Sequence, residues 1–513
     1  MAEPSEKLAN SLEILKGFQD DGRVAIRSRD LSRTHRERLL KNGFLKEVMK
    51  GWYVPSRPDE AQGESTAWYA GYWAFLKDYL NERYEDDWSL SPEQSLLLHA
   101  SNRAVPRQLL IRSPKGNNNT TEFPFDTSLV DVRQETPKVE DRIERGGLYL
   151  YTIDAGLVSA SPNFFRQYSN EARALLAAMP DTSRLLARLL DGGHAAAAGR
   201  LAGALRSIGR ERAADEIVKA MKAADYDVRE ADPFEQRIEI GGKRAASPYV
   251  LRLELMWKEM REAIIEHFPA AQPVNDIEAY LEKVDEIYVT DAYHSLSIEG
   301  YQVSVELIER VRSGDWNPDM IESDREHRNA LAARGYHLAF QEVKKSVAKV
   351  LEGADAAQIA DEVHGDWYRE LFAPSVTAGL IKTSDLAGYR GTQVYIRASR
   401  YTPPAYEEVR EAMPALFDLL RQEENPVVRI VLGHFGFVYI HPYVDGNGRI
   451  GRFLMNLMMS AAGMPWTVVP VDRRADYMAT LEAASVNQDI APFANFLAEL
   501  VQNPVPATTG LTA

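Results

Sequence analysis

A chain of 513 residues is too long for one compact core, so about two to four domains are expected. Its 45% hydrophobic and 26% charged residues are ordinary for a globular protein, and a net charge of −15 argues against a surface that binds nucleic acid or anionic lipid all round. With no cysteine, disulfides, thiolate metal sites and cysteine nucleophiles are excluded.

The first residues, MAEPSEKLANSLEILK, lack the basic start and apolar run of a signal peptide. No stretch approaches the roughly 20 apolar residues that cross a bilayer, so the expectation is a cytoplasmic protein with no membrane partner. A first helix is expected over about Leu8–Asp20 and a second over Leu31–Lys41, with Asn42-Gly43 as its stop. Phe44–Val48 and Gly51–Val54 then read as two strands joined by a tight turn. From Arg23 to Arg57 there are ten Arg/Lys against three Asp/Glu (Asp30, Glu37, Glu47). Helix, turn, basic helix and hairpin make a winged helix-turn-helix pattern over 1–60. Two readings fit it, a solvated basic face or a duplex DNA site. The segment resembles the winged-helix start of AbiE-type antitoxins and related regulators, over roughly the first 240 residues. That resemblance implies DNA as a partner through residues 23–57, and a toxin–antitoxin-type regulator as an alternative function.

Residues 61–165 read as an α+β domain, with strands at Gln108–Arg112 and Leu148–Tyr151 and an exposed turn at Lys115–Asn119. Residues 166–240 read as a helical region and linker; the spacing of Leu185, Leu186, Leu189 and Leu190 is that of plain helix packing. The polar stretch Glu230–Ser247, with Gly241-Gly242, is the best domain boundary. From 248 to 503 the chain reads as almost entirely helical, and 504–513 as a flexible tail. The exception is Gly388–Arg400, where Val394-Tyr395-Ile396 alternates as a hairpin strand does, before Tyr401-Thr402-Pro403-Pro404 ends it. The fold class expected is mainly α and multidomain, with an N-terminal α+β region.

The most informative string is His441-Pro442-Tyr443-Val444-Asp445-Gly446-Asn447-Gly448-Arg449-Ile450-Gly451-Arg452. An apolar helix (Val427–Ile440) precedes it and another (Arg449–Ala461) follows. Pro442 stops the first helix, and Gly446 and Gly448 bare the backbone where the unpaired N–H groups of the second form an anion site. Arg449 and Arg452 stand three apart in that helix's first turn, where the dipole disfavours cations unless a polyanion docks there. His441 is suited to remove a proton near neutral pH. Asp445 supplies the hard oxygen that Mg²⁺ on a triphosphate takes.

This string resembles the Fic-family signature, H-P-F-x-[D/E]-G-N-G-R-x-x-R, with Tyr443 in place of the usual Phe. The resemblance spans about residues 248–503. It implies a helical Fic core with a β-hairpin flap that uses ATP and Mg²⁺ to transfer AMP to a Ser, Thr or Tyr hydroxyl of another protein. His441 is then the general base and Asp445 the Mg²⁺ ligand. Gly446, Asn447 and Gly448 cradle phosphates, and Arg449 and Arg452 hold the β/γ end. Gly388–Ile396 resembles the flap, in which Thr392, Gln393, Val394 and Tyr395 dock the target; an ordinary hairpin fits those residues equally. Tyr477 lies where relatives place an aromatic near the adenine, and Ser485 where they often carry Asn. The loop fixes diphosphate handling but not the base, so UTP or a phosphocholine carrier stays open as donor.

Ser295-Leu296-Ser297-Ile298-Glu299-Gly300 ends an expected helix over about Asp276–Glu299. Gly300 suits its C-terminus, while Glu299 sits where the dipole favours a cation, a conflict that a nearby arginine resolves. Ser295 shares a face with Glu299. The string matches the family's inhibitory motif, [S/T]-x-x-x-E-[G/N], which implies that Glu299 pairs with Arg452 and misplaces the γ-phosphate; in some relatives the same glutamate supports AMP removal. Expected partners are thus a target protein, the chain itself as a substrate of auto-modification, and a second copy in a homodimer.

Overall fold

The computed structural model describes residues 4–58, 64–234, 238, 247–265, 268, 276–315 and 328–507. Most of Glu230–Ser247, including Gly241-Gly242, and residues 508–513 of the expected tail lie outside them. The chain divides into two compact units. One holds Met1–Arg252 and Tyr395–Thr402, the other Leu253–Val394 and Pro403–Ala513. It is mainly helical, and small sheets occur in the N-terminal region. No helix among the described residues is long and apolar enough to cross a membrane.

The N-terminal unit begins with helices Pro4–Asp20 and Arg33–Lys41 around a three-stranded antiparallel sheet. Its strands run Ile26–Arg27, Trp52–Pro55 and Leu45–Met49 in spatial order. The second helix starts two residues later than its apolar pattern suggests, because the Ser32 hydroxyl accepts from the His35 N–H (3.3 Å) and caps it. Leu15, Ile26, Leu31, Leu39, Leu45 and Tyr53 form the core. Much of the basic excess is paired within the chain, although Arg29 and Arg33 stay exposed. Arg23 pairs with Asp30, Arg27 and Arg29 with Glu82, and Arg33 with Glu37. Arg36 donates to the Ser28 carbonyl and Arg38 to Lys7 and Ser11.

A four-stranded sheet follows, ordered Ser89–Leu90, Gln108–Ser113, Thr127–Arg133, Asn119–Phe123. Its middle pair is parallel. Buried Asp131 collects the Tyr84 hydroxyl (2.5 Å), Arg83 Nη2 (2.8 Å) and the Asn119 N–H (2.8 Å), which fixes the turn before the hairpin. The alanine-rich helices Ala195–Ser207 and Glu211–Ala223 close the unit over their own apolar core. Residues 395–402 join this unit through Arg397, which pairs with Glu64 (2.7 and 2.9 Å), and through the Arg400 carbonyl, which accepts from the Val105 N–H (2.8 Å).

The second unit is a helical assembly built around Pro426–Ile440 and Asn447–Ala461. Both are buried on nearly every face, as helices at the centre of a bundle must be. Asn425 Oδ1 accepts from the Val427 N–H at 3.0 Å, and Pro426 follows at the first helical position. Around this pair stand Ile277–Ile298, Arg328–Leu351, Ala356–Thr377 and Tyr406–Gln422.

The hairpin expected at Gly388–Arg400 is absent: residues 388–404 contain no strand. Arg390 explains the difference. Its buried guanidinium donates to the carbonyls of His441 (2.8 Å), Thr392 (3.0 Å) and Pro404 (2.6 Å), while its N–H donates to the Pro442 carbonyl (2.9 Å). Gln393 Nε2 adds a bond to the Pro403 carbonyl (3.0 Å). A side chain ties the loop's two arms together where a backbone ladder was expected, and Pro403 and Pro404 have no N–H to give such a ladder.

Candidate active site

The twelve-residue string folds as a helix end, a tight loop and a helix start. Pro442 blocks continuation of Pro426–Ile440, and His441 takes a left-handed conformation (φ 54°, ψ 60°) that reverses the chain. The loop is closed by Asn447. Its Oδ1 accepts from the Tyr443 N–H (2.9 Å), and its Nδ2 donates to the Tyr443 carbonyl (2.8 Å). With the carboxamide used in this way, Asn447 presents only its main-chain N–H to a ligand. Tyr443 anchors the loop by stacking on Tyr368, with ring centroids 3.9 Å apart and planes at 5°. Asn447→Ala is expected to lower stability by about 1–3 kcal/mol, because two buried backbone groups lose their partner. Urea unfolding measures this.

The following helix starts at Gly446 (φ +80°), and Ile450 is the first residue whose N–H reaches back to it (3.0 Å). The N–H groups of residues 447–449 therefore have no intrahelical acceptor, and Gly446 at the N-cap has no side chain to cap them. At Gly448 a Cβ would lie 2.4 Å from Glu299 Oε1, so only glycine lets the carboxylate approach.

Arg449 and Arg452 are buried at the same end. Arg452 donates from Nε to Ser295 Oγ (2.9 Å) and from Nη2 to the Ser295 carbonyl (3.0 Å) and Glu299 Oε1 (2.8 Å). Arg449 Nη2 lies 3.4 Å from Asp445 Oδ2 in an orientation that does not make a hydrogen bond. Among the described residues, Arg449 Nε and Nη2 and Arg452 Nη1 are buried donors with no acceptor. Buried cationic donors left open are costly unless an anion completes them. A polyphosphate fits that need.

His441 is half-buried, and its Nδ1 lies 3.1 Å from the Val438 carbonyl. A carbonyl only accepts, so Nδ1 carries the proton and Nε2 keeps its lone pair. Burial pulls its pKa down to about 4; the Val438 carbonyl opposes this, the Arg390 charge adds to it, and Glu299 and Asp445 oppose it more weakly. The ring is neutral at pH 7 and ready to accept a proton. Burial would raise the Glu299 carboxyl, but Arg452 and Arg449 outweigh it and hold the group below the ordinary range. It is charged at neutral pH. Asp445 is exposed, with Oδ1 receiving its neighbour Gly446's N–H (2.6 Å), and it offers a single hard oxygen donor of the kind Mg²⁺ takes beside phosphate and water. No cluster of three or more metal-type side chains exists among the described residues.

Ser295 and Glu299 thus reach the string from across the sequence, on the end of Ile277–Ile298. Thr392 and Tyr395 are exposed, and Gln393 and Val394 half-buried. Tyr477 is 1% exposed. Its hydroxyl bonds His434 Nε2 (2.7 Å), and its ring packs on Phe493 and Phe496. A base could meet this ring only if it left that packing. Sequence reasoning missed Arg390, Phe372 and Asp291. Buried Asp291 lies one turn before Ser295 and accepts the Tyr336 hydroxyl (2.6 Å); burial raises its carboxyl to about 6. Only its i, i+4 spacing to Ser295 could have pointed to it. Arg390→Ala should speed hydrogen exchange across 388–404 and at His441 and Pro442's neighbours, since it strips three carbonyls of one donor; exchange monitored by mass spectrometry reads this.

Residues 358–459 match the family model described as the Fic/DOC family. Over 221 residues the chain is 32% identical to protein adenylyltransferase fic-1 of Caenorhabditis elegans, covering 42% of this chain and 40% of that protein. It is 37% identical over 123 residues to protein adenylyltransferase Fic of Nematostella vectensis, covering 23% and 28%. The chain thus spans less than half the length of these curated relatives. Among solved structures, Fic-1 from C. elegans aligns at 20% identity with a TM-score of 0.36, over 66% of this chain and 94% of that one. A Fic domain-containing signalling protein from Bacteroides thetaiotaomicron aligns at 18% identity and a TM-score of 0.35, over 50% and 92%.

Proposed function

We propose that this protein is an adenylyltransferase that moves AMP from ATP onto a Ser, Thr or Tyr hydroxyl of a protein, and that Glu299 holds it in a braked state. The observation that carries the reading is the set of buried, acceptor-less donors on Arg449 and Arg452 at a bare helix start, beside a neutral histidine. The similarity to proteins named adenylyltransferases supports it.

In the reaction proposed, His441 Nε2 takes the proton of the target hydroxyl as its oxygen attacks the α-phosphorus in line. The new O–P bond forms, the bond to the β-phosphate bridging oxygen breaks, and pyrophosphate leaves. The N–H groups of Asn447, Gly448 and Arg449 donate to phosphate oxygens, and the two guanidiniums hold the β/γ end. Asp445 would hold Mg²⁺, which neutralises phosphate charge when bound. Arg390 ties the loop bearing Thr392, Gln393 and Val394 to the His441 backbone, which suits docking of a target segment beside the base. In the braked state Glu299 occupies Arg452, so the γ-phosphate cannot be held there.

The test is to give the purified protein, with lysate, ATP labelled at either the α- or the γ-phosphate. AMP transfer labels protein from the α-position alone and releases pyrophosphate. Label from the γ-position would mean phosphorylation and sink the reading. Competition with UTP decides the donor: loss of label with equimolar UTP would move the assignment to another nucleotide.

A further inference from the structure

Glu299 does not act alone at the helix end. Gly300 is left-handed (φ +88°), its N–H donates to the Ser297 carbonyl (3.0 Å), and the Tyr301 N–H reaches back to the Leu296 carbonyl (3.1 Å). This double bond pattern is the Schellman cap, which fixes the residue after the glycine relative to the last turn of the helix. Tyr301 is therefore held in a set relation to Glu299, and its ring has a definite destination. The Arg449 guanidinium carbon lies 5.3 Å from the Tyr301 ring centroid and 5.1 Å from the Phe372 centroid. Arg449 is 1% exposed beside these two rings.

We infer that Tyr301 is the second jaw of the brake, so that one rigid cap engages both phosphate-binding arginines, Glu299 on Arg452 and Tyr301 on Arg449. The inference rests on the adenylyltransferase reading and adds a positioning residue to it. The two jaws differ in chemistry. Glu299 competes with the γ-phosphate for charge, whereas the ring attracts the buried guanidinium through its π face and draws away none of its N–H donors. Among the described residues, Arg449 Nε and Nη2 accordingly remain without acceptors. The ring's contribution is to anchor the cap, and with it Glu299, to a core side chain that does not move with the helix end. Arg328 approaches the same ring at 5.3 Å, so Tyr301 is held by two cations. Release of the brake must break the cation–π contact and the ion pair together.

The test measures label from α-labelled ATP and ATP affinity for wild type, Glu299→Gly, Tyr301→Leu, Tyr301→Phe and Glu299→Gly/Tyr301→Leu. Thermal melting checks that each is folded. Leucine keeps apolar bulk and removes the π face; phenylalanine keeps the face. Tyr301→Leu should raise incorporation roughly 3- to 30-fold, the rate equivalent of a partly desolvated cation–π contact. Tyr301→Phe should match wild type, and the double variant should be no faster than Glu299→Gly, because one cap is lost only once. A purely structural role for the tyrosine would not give rescue by phenylalanine together with that non-additivity. Tyr301→Leu at the wild-type rate beside an active Glu299→Gly overturns the second jaw and leaves the brake standing. A slower Tyr301→Leu with weakened ATP binding also overturns it, since the ring would then serve Arg449 in nucleotide binding. An inactive Glu299→Gly removes the brake itself, and the clamp falls with it.

Discussion

Replacing Glu299 by glycine is expected to raise AMP incorporation by about 10- to 100-fold, the range of a regulatory coupling carried by one ionic contact. The carboxylate sits 2.8 Å from Arg452 Nη2 and against the bare Gly448 backbone, where the end of a triphosphate would lie. Its side chain is 25% exposed, so the pair is only partly shielded from water. Removing one partner leaves Arg452 charged and underused, and the variant should lose about 1–3 kcal/mol of stability in the absence of nucleotide. ATP with Mg²⁺ should restore more of that loss than it adds to wild type, because phosphate replaces the missing carboxylate. Paired melting curves with and without nucleotide read this directly. A Glu299→Gly protein that melts like wild type and transfers no more label would remove the brake. Since Arg452 and Arg449 hold the Glu299 pKa below the ordinary range, the pair persists above it and is lost only as pH falls through that lowered value. The brake should therefore be insensitive to pH around neutrality.

His441→Ala, placed in the Glu299→Gly background to have a rate to lose, is expected to cut transfer by about 10²- to 10⁴-fold while ATP binding stays within a few-fold. The histidine touches no predicted phosphate contact, so affinity and rate should separate. The pH profile adds an independent check. A base must be unprotonated, and burial pulls this one down to about 4. Transfer should hold its rate from neutral pH down to about 5 and fall only below that, in place of the decline near 6.5 that an unperturbed imidazole gives. A decline centred near 6.5 would mean that another group, or a more solvated His441, limits the rate.

What could be read from the residues follows the range of the forces involved. The helices from Pro426 to Ile440 and Asn447 to Ala461 are legible because Asn425-Pro426, Pro442 and Gly446 are local signals bracketing apolar runs. The strands near 45–55 and 108–113 follow from alternation and flanking turns in the same way. The loop at 388–404 was misread for the opposite reason. Val394-Tyr395-Ile396 has a strand's alternation, but pairing needs a partner, and the buried Arg390 guanidinium took the carbonyls that pairing would have used. Tyr477 shows the same limit: its place in the string of residues says nothing about the Phe493 and Phe496 rings that enclose it.

By itself the sequence determined the twelve-residue loop and helix start, because its geometry depends on neighbours: a proline stop, glycines free of Cβ, and an asparagine four residues from the backbone it clasps. It likewise determined the Gly300 cap. Only the tertiary structure decided what those local pieces meet. Glu299 reaches Arg452 across 153 positions, Arg390 reaches the His441 carbonyl across 51, and Tyr301 and Phe372 close on Arg449 from two separate elements. Such contacts are set by which helix faces pack together. Burial then sets the protonation of His441 and the arginine charges that of Glu299, and no spacing within the chain encodes either.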